Sequence, residues 1–159
     1  SKECNIKLLG LQKKSIQGDI NVVKKFKNLG VTTIFQNQIC TLTKNKFNYF
    51  PKKDNLLENP DLYQPLKCTL FAKNIKTEFA GLDTLINKES DRISAVNKEL
   101  SKINSNNIIE TYNDHRMAMS FAPLALKFEG LQINNIEVVS KSYPKFWHDL
   151  RKAGFIVYS

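Results

Sequence analysis

The sequence predicts an α/β (α+β) fold, and three observations predict it. Strand-like and helix-like segments alternate along the chain, the helical ones carry one-sided apolar stripes, and no Pro/Gly/Ser-rich linker divides it. Residues 5–11 read as a strand with Ile6 and Leu8 on one face. Gly18-Asp19 opens a helix with Val22, Val23, Phe26 and Leu29 on its apolar side, and Gly30 stops it. The β-branched runs 31–35 and 38–43 read as paired strands, and 44–59 as a strand and loop. Asn59-Pro60-Asp61 starts a helix, with Asn as cap, Pro first and an acid in the first turn; Leu62, Tyr63, Leu66 and Leu70 form its stripe.

The alternation continues beyond. Residues 75–79 are predicted as a strand and 89–103 as a helix. A third helix spans about 114–128; it is apolar on nearly every side, which marks a buried helix, and Pro123 is expected to kink it. A strand over 137–140, a helix over 143–153 and a closing strand over 155–158 complete the reading. Residues 101–109 (SKINSNNII) leave almost nothing between two helices.

At 159 residues the chain is long enough for one sizeable core without metal or disulfide staples. No apolar run approaches the about 20 residues of a membrane span. The first residues carry no signal-like segment, so a cytoplasmic protein is expected. Cys4, Cys40 and Cys68 are odd in number and widely spaced, which suggests neither a zinc site nor a disulfide framework. The net charge of +9 is compatible with nucleic acid, acidic lipid or small anions. Of 24 basic residues, however, 21 are Lys, so much of the charge reads as solvated surface. The three arginines, Arg92, Arg116 and Arg151, are more informative, because Arg offers a rigid bidentate fork for carboxylate and phosphate.

Two polar groups sit where apolar periodicity predicts burial. Glu89 and Arg92 extend the stripe of Ile93, Val96, Leu100 and Ile103, so they either reach an interior cleft or form a surface i,i+3 pair. Asn113-Asp114-His115-Arg116 stands at the mouth of the most apolar helix. Such a quartet caps the helix and pairs internally, or it binds something. Lys141 precedes another helix start and is a solvated lysine unless the three starts converge on an anion.

Two long strings carry a specific resemblance. Thr111-Tyr112-Asn113-Asp114-His115-Arg116-Met117-Ala118-Met119 resembles the C-terminal signature of 5-enolpyruvylshikimate-3-phosphate (EPSP) synthase. The segment 81–93, with Lys88-Glu89-Ser90-Asp91-Arg92, is similar to that family's Lys-Glu-Thr/Ser-Asp-Arg motif. Ser15-Ile16-Gln17-Gly18-Asp19, Pro60-Asp61 and Ser140-Lys141-Ser142-Tyr143-Pro144 follow in the family's order. The resemblance implies an enolpyruvyl transferase-like lobe of βαβαββ units, with helices packed against mixed sheets. It also implies transfer of enolpyruvyl from phosphoenolpyruvate to the 5-hydroxyl of shikimate 3-phosphate, in aromatic amino-acid (chorismate) biosynthesis.

Residue by residue, the resemblance implies Asp61 and Glu89 as catalytic acids and bases. It implies Arg92, His115, Arg116 and Lys141 as the phosphoenolpyruvate side, and Asp61, Thr84 and Lys88 as contacts to shikimate 3-phosphate. No metal or organic cofactor is implied, and glyphosate would compete at the phosphoenolpyruvate site. The likeness covers the C-terminal lobe alone, 1–159. The N-terminal lobe is the implied partner, without nucleic acid or membrane, and the isolated lobe is expected to be inactive. The stretch 101–109 is short where the family normally has a strand pair between the two helices, so a hairpin there is missing or deleted. Ile86 stands where the family usually has Arg.

Other readings are a UDP-sugar enolpyruvyl transferase-like lobe, or a non-catalytic basic domain binding anions or nucleic acid. The Asn-Asp-His-Arg-Met-Ala-Met string argues against the first. Against the second, the aromatics sit on helical stripes rather than beside lysines as stacking platforms.

Overall fold

A computed structural model describes residues 4–14, 18–47 and 49–158. The residues Ser15, Ile16 and Gln17 of the motif noted above lie outside them. The first unit is β1 (Asn5–Leu9), a 3-10 turn (Gly18–Asn21), α1 (Val22–Asn28), β2 (Val31–Gln36) and β3 (Ile39–Lys44). Its strands form an antiparallel sheet in the order β1-β3-β2, with Leu8 opposite Cys40 and Phe35 opposite Cys40 on the other side. Gly30 ends α1 at φ +85°, and a Cβ there would lie 2.7 Å from the Lys46 carbonyl oxygen. Any side chain would be strained twice at this turn.

Two β-α-β crossovers follow. β4 (Lys53–Asn55) leads through a 3-10 turn (Pro60–Leu62) and α2 (Tyr63–Ala72) to β5 (Glu78–Ala80), which pairs parallel with β4. A 3-10 turn (Asp83–Leu85) then enters α3 (Arg92–Lys102). β6 (Ile108–Ile109) leads through α4 (His115–Phe121) and a 3-10 turn (Ala122–Leu126) to β7 (Gln132–Ile133), again parallel. A 3-10 turn (Ile136–Lys141) and α5 (Phe146–Lys152) finish the chain. Helices and sheets thus alternate as the sequence predicts, and each of the three sheets taken singly is unmixed.

The core lies where α2, α3 and α4 meet. Leu62, Tyr63, Leu66 and Leu70 from the α2 stripe are buried with Val96, Leu100, Ile103, Met117 and Phe121. Each fully buried Leu or Phe of this set contributes about 1.5–3 kcal/mol. α4 buries Met117, Ala118, Ser120 and Phe121, while His115 and Arg116 in its first turn are half-buried, and Pro123 converts its continuation to 3-10 geometry.

Several expectations need correction. Asn59 does not cap its helix: its side chain accepts a hydrogen bond from Asn21 Nδ2 (2.6 Å) and donates to Glu58 O. The helix expected from Glu89 begins at Arg92, because Asp91 captures the Ser94 N–H as its cap (3.1 Å). Glu89 therefore stands before the helix and not on its stripe. Residues 137–140 form a 3-10 turn that buries Val139, and 155–158 form no strand; neither segment has a partner strand among the described residues. The short stretch after α3 is a closed turn. Asn104 N–H donates to the Asn107 side chain, Asn107 donates to Glu129 O, and Ile108 N–H donates to Asn106.

Gln64, fully buried in the first turn of α2, has neither amide nitrogen nor oxygen hydrogen-bonded to a described residue, and Thr111 Oγ1 likewise has no such partner. A buried polar group left unmade costs about 1–3 kcal/mol, whereas an apolar group of the same shape does not. Gln64→Met is therefore expected to raise the unfolding free energy by about 1 kcal/mol. Denaturant titration checks this, and a loss of stability would show that the amide is satisfied.

Candidate active site

Arg92 is the first residue of α3, and its side chain is only 4% exposed. A guanidinium so placed stays charged and must be matched by acceptors. Its Nε donates to Asp114 Oδ2 (2.7 Å), Nη2 reaches Asp114 Oδ1 (3.4 Å), and Nη1 donates to Asp61 Oδ1 (2.6 Å). Asp114 is completely buried before α4, where it also accepts the Arg116 N–H (2.9 Å) and the Ser90 hydroxyl (3.3 Å). Burial works against ionising Asp114. The hydrogen bonds and charge of Arg92, with the Arg116 N–H, overcome it and hold the carboxyl below the usual carboxylate range.

Around this buried pair lies a second, more open layer. Arg116 Nη2 sits 3.1 Å from Asp61 Oδ2 and 3.7 Å from Asp19. Asp61 thus lies forked between the two arginines. Glu89 Oε2 is 3.1 Å from His115 Nδ1, and its other oxygen is 3.2 Å from Lys141 Nζ. Lys141 also donates to the Asn113 carbonyl (3.0 Å) from the end of its 3-10 turn. Three helix or turn starts and one turn end, far apart in sequence, bring Asp61, Glu89, Arg92, Asp114, His115, Arg116 and Lys141 into one network.

The structure brings six of the eight sequence-predicted site residues together. Thr84 and Lys88 are exposed, and neither makes a hydrogen bond or ion pair with a described residue. Two residues missed as site members belong to the network or to its support. Asp114, within the quartet that the sequence leaves either capping or binding, caps α4 and also holds Arg92. Glu99 falls on the α3 stripe two turns after Arg92, so a carboxylate at an apolar position was the available signal.

Ligand atoms of Glu89, Asp114 and His115 lie within 4.8 Å of one another, a spacing a metal ion could use. The same carboxylate oxygens already face Arg92 and Lys141. The arrangement therefore reads as an ion-pair network rather than a cation cage. Its cations Arg92, Arg116 and Lys141 are matched by Asp61, Asp114 and Glu89, and what it can do chemically is exchange the more open of these ion pairs for an anion held beside two carboxylates able to move protons.

A family model described as EPSP synthase (3-phosphoshikimate 1-carboxyvinyltransferase) matches residues 1–107 and 104–150. The chain belongs to the EPSP synthase family. It is 38% identical over 176 residues to 3-phosphoshikimate 1-carboxyvinyltransferase of Bacteroides fragilis (strain YCH46), covering 98% of this chain and 43% of that protein. With the enzyme of that name from Buchnera aphidicola subsp. Acyrthosiphon pisum (strain 5A) it shares 34% over 164 residues, covering 91% and 38%. The fold is similar to the EPSP synthase structure from Acinetobacter baumannii, with a TM-score of 0.68 at 20% identity over 96% of this chain and 42% of that one. The chain therefore spans about two fifths of the length of the curated relatives it matches. No helix among the described residues is long and apolar enough to cross a membrane.

Removing one partner of a buried ion pair costs about 3–5 kcal/mol, and Asp114→Asn is expected to lose that much at pH 7. Asp114 has a depressed folded pKa. Its contribution is therefore complete above the unfolded carboxylate value of about 3.9 and is lost as pH falls through the lower folded value. Acid titration of stability should accordingly be steeper below about pH 4 in the wild type than in the variant. Parallel curves would contradict the assignment.

Proposed function

We propose that this chain, over 1–159, is the C-terminal lobe of a cytoplasmic enzyme that moves the enolpyruvyl group of phosphoenolpyruvate to the 5-hydroxyl of shikimate 3-phosphate. The observation that carries the reading is the network in which Asp61 lies between two arginines and Glu89 lies between a lysine and an imidazole. Asp61 spans Arg92 and Arg116, and Glu89 contacts Lys141 and His115. Phosphoenolpyruvate brings a carboxylate and a phosphate, the two anions these cations can bind in place of protein carboxylates. Its arrival exchanges ion pairs: Arg116 and Arg92 pass from Asp61 to the substrate, and Lys141 from Glu89.

The released acids then have work to do. The substrate hydroxyl adds to C2 of phosphoenolpyruvate as the Asp61 carboxylate takes its proton, while Glu89, in its protonated form, delivers a proton to the methylene carbon. The Glu89 carboxylate next takes a proton back from the resulting methyl group as phosphate leaves with the proton held on Asp61. His115 orients Glu89 through its Nδ1 contact. Lys88 and Thr84, without a hydrogen-bond or ion-pair partner among the described residues, are assigned to shikimate 3-phosphate. The reaction as written uses no metal or organic cofactor, and glyphosate would compete for the same cations.

The other lobe supplies the remaining cations for phosphoenolpyruvate and the set that holds shikimate 3-phosphate, so this chain is expected to be inactive without it. The two matched blocks meet at 104–107, which supports deletion of a family hairpin at the closed turn after α3. Phosphate release from the two substrates is the test. The chain alone is expected to release none. In the two-lobed enzyme, Glu89→Gln or Arg116→Ala is expected to lower kcat/KM by more than about tenfold, as loss of a transition-state contact does. Wild-type kinetics in either variant would sink the assignment.

A further inference from the structure

Glu99 lies outside the network just described, yet it is among the most constrained side chains of the molecule. It is fully buried on α3 and accepts four hydrogen bonds. Tyr112 Oη donates at 2.6 Å, the Glu110 N–H at 3.0 Å, and Lys102 Nζ at 2.8 and 2.6 Å to the two oxygens. Lys98 Nζ stands 5.7 Å over the Tyr112 ring and presses on the same side chain.

What Glu99 grips is an unusual piece of backbone. Tyr112 and Asn113 are consecutive non-glycine residues in the left-handed region, with φ of 53° and 56°. Such residues cost about 1–3 kcal/mol each and persist only where their surroundings over-determine them. This pair aims the Asn113 carbonyl at Lys141 and turns the chain so that the Asp114 carboxylate meets Arg92. Arg92 and Glu99 are seven residues apart on one face of α3, about 10 Å along its axis. The helix therefore holds segment 110–116 at two points. Glu99 fixes residues 110 and 112, and Arg92 fixes residue 114.

We propose that Glu99 is a positioning residue that, acting through Tyr112, sets the left-handed turn on which Lys141, Asp114 and the adjoining His115 and Arg116 depend. Its catalytic consequence rests on the reading in the preceding subsection; its structural consequence does not. Lys102 bonds Glu99 but nothing in the segment, so Lys102→Met serves as a control for loss of stability alone.

Amide hydrogen exchange on the full chain tests the clamp. In Glu99→Gln and Tyr112→Phe, exchange at Asp114 and Arg116 is expected to quicken about tenfold, as loss of one charge-assisted hydrogen bond implies. Ala95 and Val96 should change less, and Lys102→Met should show no such local effect. Acceleration shared equally by all these amides would overturn the proposal. In the two-lobed enzyme the same two variants are expected to raise the KM for phosphoenolpyruvate or lower kcat about tenfold. The double variant should be no worse than the worse single one, because both act through one contact. Additive losses, or kinetics unchanged while exchange quickens, would also overturn it. If the wild-type enzyme does not use phosphoenolpyruvate at all, the functional reading falls, and the exchange data still decide whether Glu99 sets the turn.

Discussion

A buried guanidinium is the constraint on which the arrangement depends. Arg92 cannot shed its charge, and at 4% exposure it cannot rely on water. Asp114 and Asp61 must therefore come to it, from the start of α4 and from the turn before α2. Those two demands bring three distant segments to one point. The outer pairs, Arg116 with Asp61 and Lys141 with Glu89, are then placed by what the inner pair has already fixed.

Legibility in the sequence followed the range of the forces involved. The α2 stripe of Leu62, Tyr63, Leu66 and Leu70 was readable because 3.6-residue periodicity is local, and all four side chains are buried. Val138-Val139 and Phe155–Tyr158 look equally strand-like, but a strand needs a neighbour, and neither segment has one among the described residues. The two-residue strands β6 and β7 carry too little pattern to be seen. At the site, a single capping bond from Asp91 moved Glu89 off the helix. The motif strings named most of the residues that converge. They did not show that Asp114 is the counter-charge of Arg92, or that Glu99 holds Tyr112, since both facts are tertiary.

The opening excess of positive charge divides accordingly. Most lysines face solvent, while Arg116 and Lys141 stand at the cluster with protein carboxylates against them. The chain belongs to the EPSP synthase family and spans about two fifths of the curated relatives' length; on the proposed reading the cluster is one part of a site completed by another lobe. On the proposed reading, the acids keep places that substrate anions take. Binding and proton transfer are then linked, because the event that occupies the cations also frees the bases.

The most direct measurement of that exchange is the affinity of phosphoenolpyruvate for this chain with Asp61→Asn, set against the wild type by calorimetric titration. If Asp61 competes for Arg92 and Arg116, the variant binds phosphoenolpyruvate several-fold more tightly. Equal or weaker binding by Asp61→Asn would contradict the account.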